Sequence, residues 1–84
     1  EKTIVVGKLT VFARITDTSS VKKVDFILDG ELMHICYYSP YMWIWNTKRY
    51  GRGNHLLQAI VTDQSNSQMI DSINVTVLSL WRGS

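Results

Sequence analysis

The chain has 84 residues, of which 45% are hydrophobic, 11% aromatic and 19% charged, and its formal net charge is +2. This length suits one hydrophobic core, so we expect a single domain over residues 1–84. The scattered, nearly balanced charge excludes the basic face that nucleic-acid binding needs, and every apolar run is far shorter than the roughly 20 residues of a membrane span. The single cysteine, Cys36, excludes an intrachain disulfide and is typical of a small buried residue.

The first segments alternate apolar and polar residues, as half-buried β-strands do. A short apolar strand, TIVV, precedes KLTVFARITD at residues 8–17. One face of this second strand carries Leu9, Val11, Ala13 and Ile15, and we predict that it faces the core. The polar stretch Asp17 to Ser20 then predicts a turn, because short polar side chains bond to nearby backbone.

A hairpin follows this turn. VKKVDFILDG at residues 21–30 places Val24, Phe26 and Leu28 on the inner face, and the dipeptide Asp29-Gly30 is a strong signal for a two-residue hairpin turn. ELMHICYY returns antiparallel as the next strand. Pro40 ends that pairing, because proline has no amide hydrogen to donate.

The second half of the chain predicts three further strands. Residues 41–47 are apolar on both faces, with Tyr41, Trp43 and Trp45 sharing one of them. The glycine-punctuated segment 48–54 leads to a long strand in which His55, Leu57, Ala59 and Val61 are in phase. A polar turn at 63–67 precedes the last strand, 68–78. Ile70 falls out of phase there, which indicates a bulge or a partly covered edge.

About seven short strands at this spacing predict an all-β chain, an immunoglobulin-like β-sandwich of antiparallel strands without a disulfide. The residues in phase with the inner faces make up the predicted core. They are Leu9, Val11, Ile15, Val24, Phe26, Leu28, Trp43, Trp45, Leu57, Ala59, Val61, Val75 and Val77.

Three segments of the sequence resemble a known family. The strand ending in Asp29-Gly30, the segment SPYMWIWNT and the segment GNHLLQAIVTDQSNS are similar to the Big-type immunoglobulin-like modules of bacteria and archaea. The matching positions are Val21, Val24, Phe26, Asp29 and Gly30, then Pro40, Tyr41, Trp45 and Thr47, then Gly53, His55, Leu57, Ala59 and Asp63. The chain departs from the family pattern at Asn46, where Asp is usual, and at Ser65-Asn66-Ser67, where a small residue, Gly and Asn are usual.

The resemblance implies a non-catalytic module of a secreted or surface-anchored microbial protein, located outside the cell or at its surface. Modules of this kind act as spacers, stabilising domains or adhesion domains, and their partners are the neighbouring domains of the parent protein. The chain also lacks an initiating methionine, so we expect it to be a piece excised from a larger protein. The alternative is a carbohydrate- or surface-binding module that uses exposed aromatic residues.

The residues themselves offer no catalytic group or cofactor site. The only histidines are His34 and His55, and neither belongs to a triad or nucleophile motif. His34 and Cys36 alone supply too few ligands for zinc. We expect His55, in phase with the core, to tie a loop to the sheet.

Aspartates at strand ends are candidates for a calcium site. Asp17, Asp29 and Asp63 each close a strand, and carboxylates at one pole of a sandwich can converge on Ca²⁺. Their spacing matches no calcium loop, and turn capping is the ordinary explanation for all three.

Two further ligand sites follow from surface residue types. The aromatic residues that could stack on sugar rings are Tyr37 or Tyr38, Tyr50 and Trp81, whereas Tyr41, Trp43 and Trp45 share the core phase and pack between the sheets. The basic loop Lys48 to Arg52 could contact an anionic polymer such as wall polysaccharide, although a solvated turn explains it as well. Asn74 opens an N-x-T sequon and points away from the core, as a glycosylated asparagine would.

Overall fold

The computed structural model describes residues 2–15, 18–47 and 53–78. These contain seven strands: β1 (Lys2–Val6), β2 (Lys8–Phe12), β3 (Val21–Leu28), β4 (Glu31–Cys36), β5 (Met42–Asn46), β6 (Gly53–Asp63) and β7 (Gln68–Leu78). A 3-10 turn, Thr18–Ser20, precedes β3. The all-β prediction is therefore confirmed.

The strands form two layers. One sheet has five strands in the order β1-β7-β6-β3-β4, and the other has two, β2 and β5. Most pairs are antiparallel, but β1 runs parallel to β7, with Lys2 opposite Asn74 and Val6 opposite Leu78. This parallel pair is the one departure from the antiparallel arrangement, and it joins strands from opposite ends of the described chain.

Gly7 lets the chain change sheets between β1 and β2. Its φ of 81° lies in the left-handed region that glycine adopts without steric cost. The Gly7 carbonyl accepts hydrogen bonds from the backbone N–H of Thr47, at 3.1 Å, and from its hydroxyl. Thr47 is buried, so these bonds fix the crossover against the end of β5.

Strand β2 is shorter than the alternation predicts. Phe12 is its last residue and lies opposite Met42, and the Ala13 N–H then donates to the Tyr41 carbonyl at 2.9 Å. Beyond Tyr41 comes Pro40, whose peptide bond with Ser39 is cis and which has no amide hydrogen. The ladder therefore stops here, and residues 16 and 17 of the predicted strand lie outside the described part.

The core consists of two adjoining clusters. One contains Leu28, Trp45, Leu57, Val75 and Val77. The other contains Val21, Val24, Phe26 and Tyr41. Seven predicted core residues are buried, while Leu9, Val11, Ile15, Trp43, Ala59 and Val61 are half-buried and pack against the clusters. The two-stranded sheet thus covers only part of the larger one.

The two ends of the sandwich differ in how well the inner face of β7 is covered. We call the end at the Asp29-Gly30 turn the hairpin end and the end at the turn of residues 63–67 the turn end. At the hairpin end, Val75 and Val77 are buried beneath Trp45. Toward the turn end, Ile73 and Met69 share their phase on β7 but are 42% and 70% exposed. The ladder between β6 and β7 continues without a register shift, so Ile70 marks no bulge.

Candidate functional site

The hairpin turn holds the first candidate aspartate. Asp29 has a φ of 52° and Gly30 a φ of 84°, the positive values that a two-residue hairpin turn of this kind requires. The Asp29 carboxylate accepts the Leu56 N–H at 2.8 Å and lies 2.6 Å from Nδ1 of His55. The hydrogen bond to His55 is the main reason that the pKa of Asp29 lies below its usual value, and the Leu56 N–H adds to this. The carboxylate links the turn to β6.

His55 connects that turn to the core. Its ring meets the buried Trp45 indole edge-on, with the two ring centres 5.7 Å apart. The same imidazole contacts Asp29 through Nδ1. The side chain therefore ties a loop to the sheet through a carboxylate and an aromatic face.

Asp63 closes the turn at the opposite end. Its Oδ1 accepts the N–H and hydroxyl of Ser65 at 2.9 and 2.7 Å and the Ser67 N–H at 2.9 Å. These bonds, the Ser65 hydroxyl first, lower the pKa of Asp63. The carboxylate replaces missing backbone partners in the turn.

The structure does not bring Asp29 and Asp63 together. Asp63 lies opposite Val21, at the start of β3, whereas Asp29 follows Leu28, at its end. Eight residues of strand separate the two aspartates by roughly 25 Å, too far for one cation. Asp17 lies outside the described residues. Within the described part of the chain, no three His, Cys, Asp or Glu side chains are grouped as metal ligands.

The aromatic residues divide into buried and exposed sets. Trp43 stacks between Phe26 and Trp45, with ring centres 6.3 and 6.1 Å away. In the connection after β4, Tyr37 is 57% exposed and its neighbour Tyr38 84% exposed. Tyr50, Trp81 and the basic loop fall outside the described residues, so Tyr37 and Tyr38 are the predicted stacking residues that the structure locates.

The remaining predicted residues lie on different parts of the sandwich. Asn74 is exposed on β7, between Lys2 and Leu56 on the flanking strands, and the Thr76 hydroxyl of its sequon donates to Asn54. Cys36 is half-buried with its thiol directed at the Met42 carbonyl, 3.2 Å away.

An open groove marks the turn end. It has a volume of about 680 Å³ and lies between the segment Phe12–Ile15 and the start of β7. Ala59 and Val61 form its floor, Met69 and Phe12 stand at its rim, and Arg14 and Asp63 are among its charged lining residues. The groove exists because β2 ends early and leaves this part of the larger sheet uncovered.

The outer face of the larger sheet, the side turned away from β2 and β5, carries apolar residues on four neighbouring strands, β7, β6, β3 and β4. Asp25 lies on it between Ile35 of β4 and Ile60 of β6. Strand alternation puts Asp25 out of phase with the inward-facing Val24 and Phe26, but it does not reveal what surrounds the carboxylate. Its neighbours come from strands 10 and 35 residues away in sequence, so only the register reveals the environment.

The comparisons with known proteins agree with this architecture. The family model for the bacterial Ig domain matches residues 1–59. A solved structure described as fibronectin(III)-like modules of Clostridium thermocellum CbhA is 27% identical in sequence and superposes with a TM-score of 0.74. The aligned region covers 94% of this chain and 91% of the solved chain. A search of curated protein sequences finds no match. In the described residues, no helix is long and apolar enough to cross a membrane.

Proposed function

We propose a role for this chain, which belongs to the bacterial Ig-domain family. It is a non-catalytic spacer and stabilising module of a multidomain bacterial protein, and it lies outside the cell or at its surface. The resemblance seen in the sequence pointed to the same family, and the fold match to fibronectin(III)-like modules of another bacterial protein supports a place among several modules of one parent. The folds of such modules specify a scaffold rather than an active site.

The parallel pairing of β1 and β7 is the observation that carries this proposal. Because the two strands run in the same direction, the chain enters the sandwich along β1 and leaves it along β7 without reversing. The segments before β1 and after β7 would then leave the module in opposite directions along the strand axis. Lys2 lies opposite Asn74 and Val6 opposite Leu78, so the points of entry and exit are roughly 13 Å apart along that axis.

The test changes the number of modules in the parent protein. Small-angle X-ray scattering should detect a shorter longest dimension when the module is deleted, and a longer one when it is duplicated. The thermal midpoint of the adjoining domain should fall on deletion. A parent with unchanged length and midpoint in both variants would contradict the spacer function.

A second candidate function rests on the exposed tyrosines. Tyr37 and Tyr38 are adjacent, solvent-facing rings of the kind that stack on sugars. If they bind polysaccharide, the double substitution of both residues by alanine should abolish pull-down by insoluble cellulose or cell-wall polysaccharide. Phe12→Ala, which removes a comparably exposed ring on another surface, is the matched control and should leave binding unchanged.

A further inference from the structure

The outer face of the five-stranded sheet combines an apolar surface with one poorly satisfied carboxylate. Its apolar residues are Ile27, Leu32, Ile35, Leu56, Ile60 and Ile70. Leu32, Leu56 and Ile70 are 50%, 38% and 59% exposed, and the other three are half-buried. Two polar residues lie among them: Gln58 donates to the Ser72 hydroxyl at 3.3 Å on the same face. The outer face of an antiparallel sheet is normally more polar than this, and exposed apolar residues gathered on such a face mark an interaction surface.

Asp25 lies within this surface. Its side chain is only 16% exposed, and among the described residues its Oδ1 is buried without a hydrogen-bond partner. Its Oδ2 has Lys23 at 3.6 Å, which is an ion-pair distance but too long for a hydrogen bond. The carboxylate has lost contact with water and has only a long ion pair in its place, so its burial costs free energy.

The chemistry of the covering partner follows from this carboxylate. A guanidinium or ammonium group placed over Asp25 would give Oδ2 the hydrogen bond that Lys23, at 3.6 Å, does not provide, and apolar groups around that cation would cover the isoleucines. A second copy packed back to back fits poorly, since overlap of the apolar residues would bring two Asp25 carboxylates close together.

We propose that the outer face docks a neighbouring domain of the parent protein, through a surface that presents an arginine or lysine surrounded by apolar side chains. This inference rests on the proposed spacer function and deepens it. A spacer with a docking face fixes the orientation of its neighbour as well as its distance. Asp25 then selects the register of docking, because only one placement of the partner's cation satisfies it.

The first test uses the 84-residue chain alone. Asp25→Val places a β-branched residue between Ile35 and Ile60 and removes the desolvated charge, so the urea midpoint should rise. A carboxylate that serves docking makes the free module less stable than an apolar side chain at the same position would. A lower midpoint would mean that Asp25 stabilises the sandwich itself, and would overturn the proposal.

The second test uses the full-length parent with its isoleucine methyl groups labelled for NMR. A soluble paramagnetic probe should relax the Ile60 and Ile70 methyls severalfold less in the parent than in the free chain. Ile44, which is 56% exposed on the other sheet, is the internal control and should not change. Asp25→Arg in the parent should restore full relaxation, whereas Asp71→Arg, an exposed position of opposite phase on β7, should not.

Each other outcome overturns the docking proposal. Equal relaxation of Ile60 and Ile70 in the parent and the free chain would mean that no domain covers the face, while the length measurements on the module variants would still decide the spacer function. Protection that appears in the free chain and grows with its concentration would identify a second copy as the occupant. Protection that survives Asp25→Arg would exclude the carboxylate as the recognition element.

Discussion

The hairpin end and the turn end of the sandwich are built from the same strands but differ in how well the inner face of β7 is covered. At the hairpin end, β1 extends the larger sheet and Trp45 lies over Leu57 and Val75. At the turn end, β2 has stopped, the groove is open, and Met69 is 70% exposed on the same face of β7. Strand phase thus determines which side chains face the core. The extent of the opposite sheet determines which of those side chains are buried.

The largest expected effect is at the hairpin end. Trp45→Ala removes a fully buried indole from the cluster there and should lower the free energy of unfolding by about 3–5 kcal/mol, measured by urea denaturation. Ile44→Ala, on the adjacent residue of opposite phase, should cost little because Ile44 is 56% exposed. Similar losses for both variants would mean that Trp45 is not the centre of this core.

A matched pair on β7 sharpens the comparison. Val75→Ala removes two methyl groups from a side chain that is 0% exposed and should cost about 2 kcal/mol. Met69→Ala truncates a longer side chain in the same phase at the turn end and should change stability by less than about 0.5 kcal/mol. If Met69→Ala costs as much as Val75→Ala, the groove is filled in solution and the two ends are equally covered.

The smallest effect is the acid sensitivity of the hairpin turn. The folded-state pKa of Asp29 lies below the value of 3.8, so its ionised form stabilises the fold above that pH, and this contribution is lost as the pH falls through the folded pKa. Because the carboxylate is about half exposed, we expect no more than about 1 kcal/mol. Asp29→Asn should lower the thermal midpoint near neutral pH and flatten its fall in acid.

His55→Gln provides the companion variant for this turn. It removes the imidazole that contacts Asp29, so the acid slope should also flatten, and the double variant should add little to either single one. Additive effects of the two substitutions would show that the carboxylate and the imidazole act independently.

The sequence predicted the phase of the strands better than their coverage. Alternation placed Phe26, Leu57 and Val75 inside, and all three are buried, because phase is a local property of the strand. Val21 was not assigned to the core, since the register shift between Val21 and Lys23 changes its side of the sheet. The length of β2 depends on where Pro40 interrupts its partner, which no pattern within β2 reveals.

The candidate site was less predictable than the fold, for the same reason. Turn chemistry identified Asp29 and Asp63 as strand-end residues, but their separation depends on the ladder between β3 and β6. The environment of Asp25 depends on three strands at once. Residues whose surroundings come from distant parts of the chain need the register before their chemistry can be assigned.

The parallel ladder between β1 and β7 also determines how the module responds to mechanical force. When the ends of the module are pulled apart, β1 and β7 are drawn in opposite directions along their common axis, so the bonds from Lys2–Asn74 to Val6–Leu78 are loaded together in shear. They cannot open one after another as in a hairpin that is peeled apart. A module with this connection should yield at a high force and then open abruptly, which suits a link under tension.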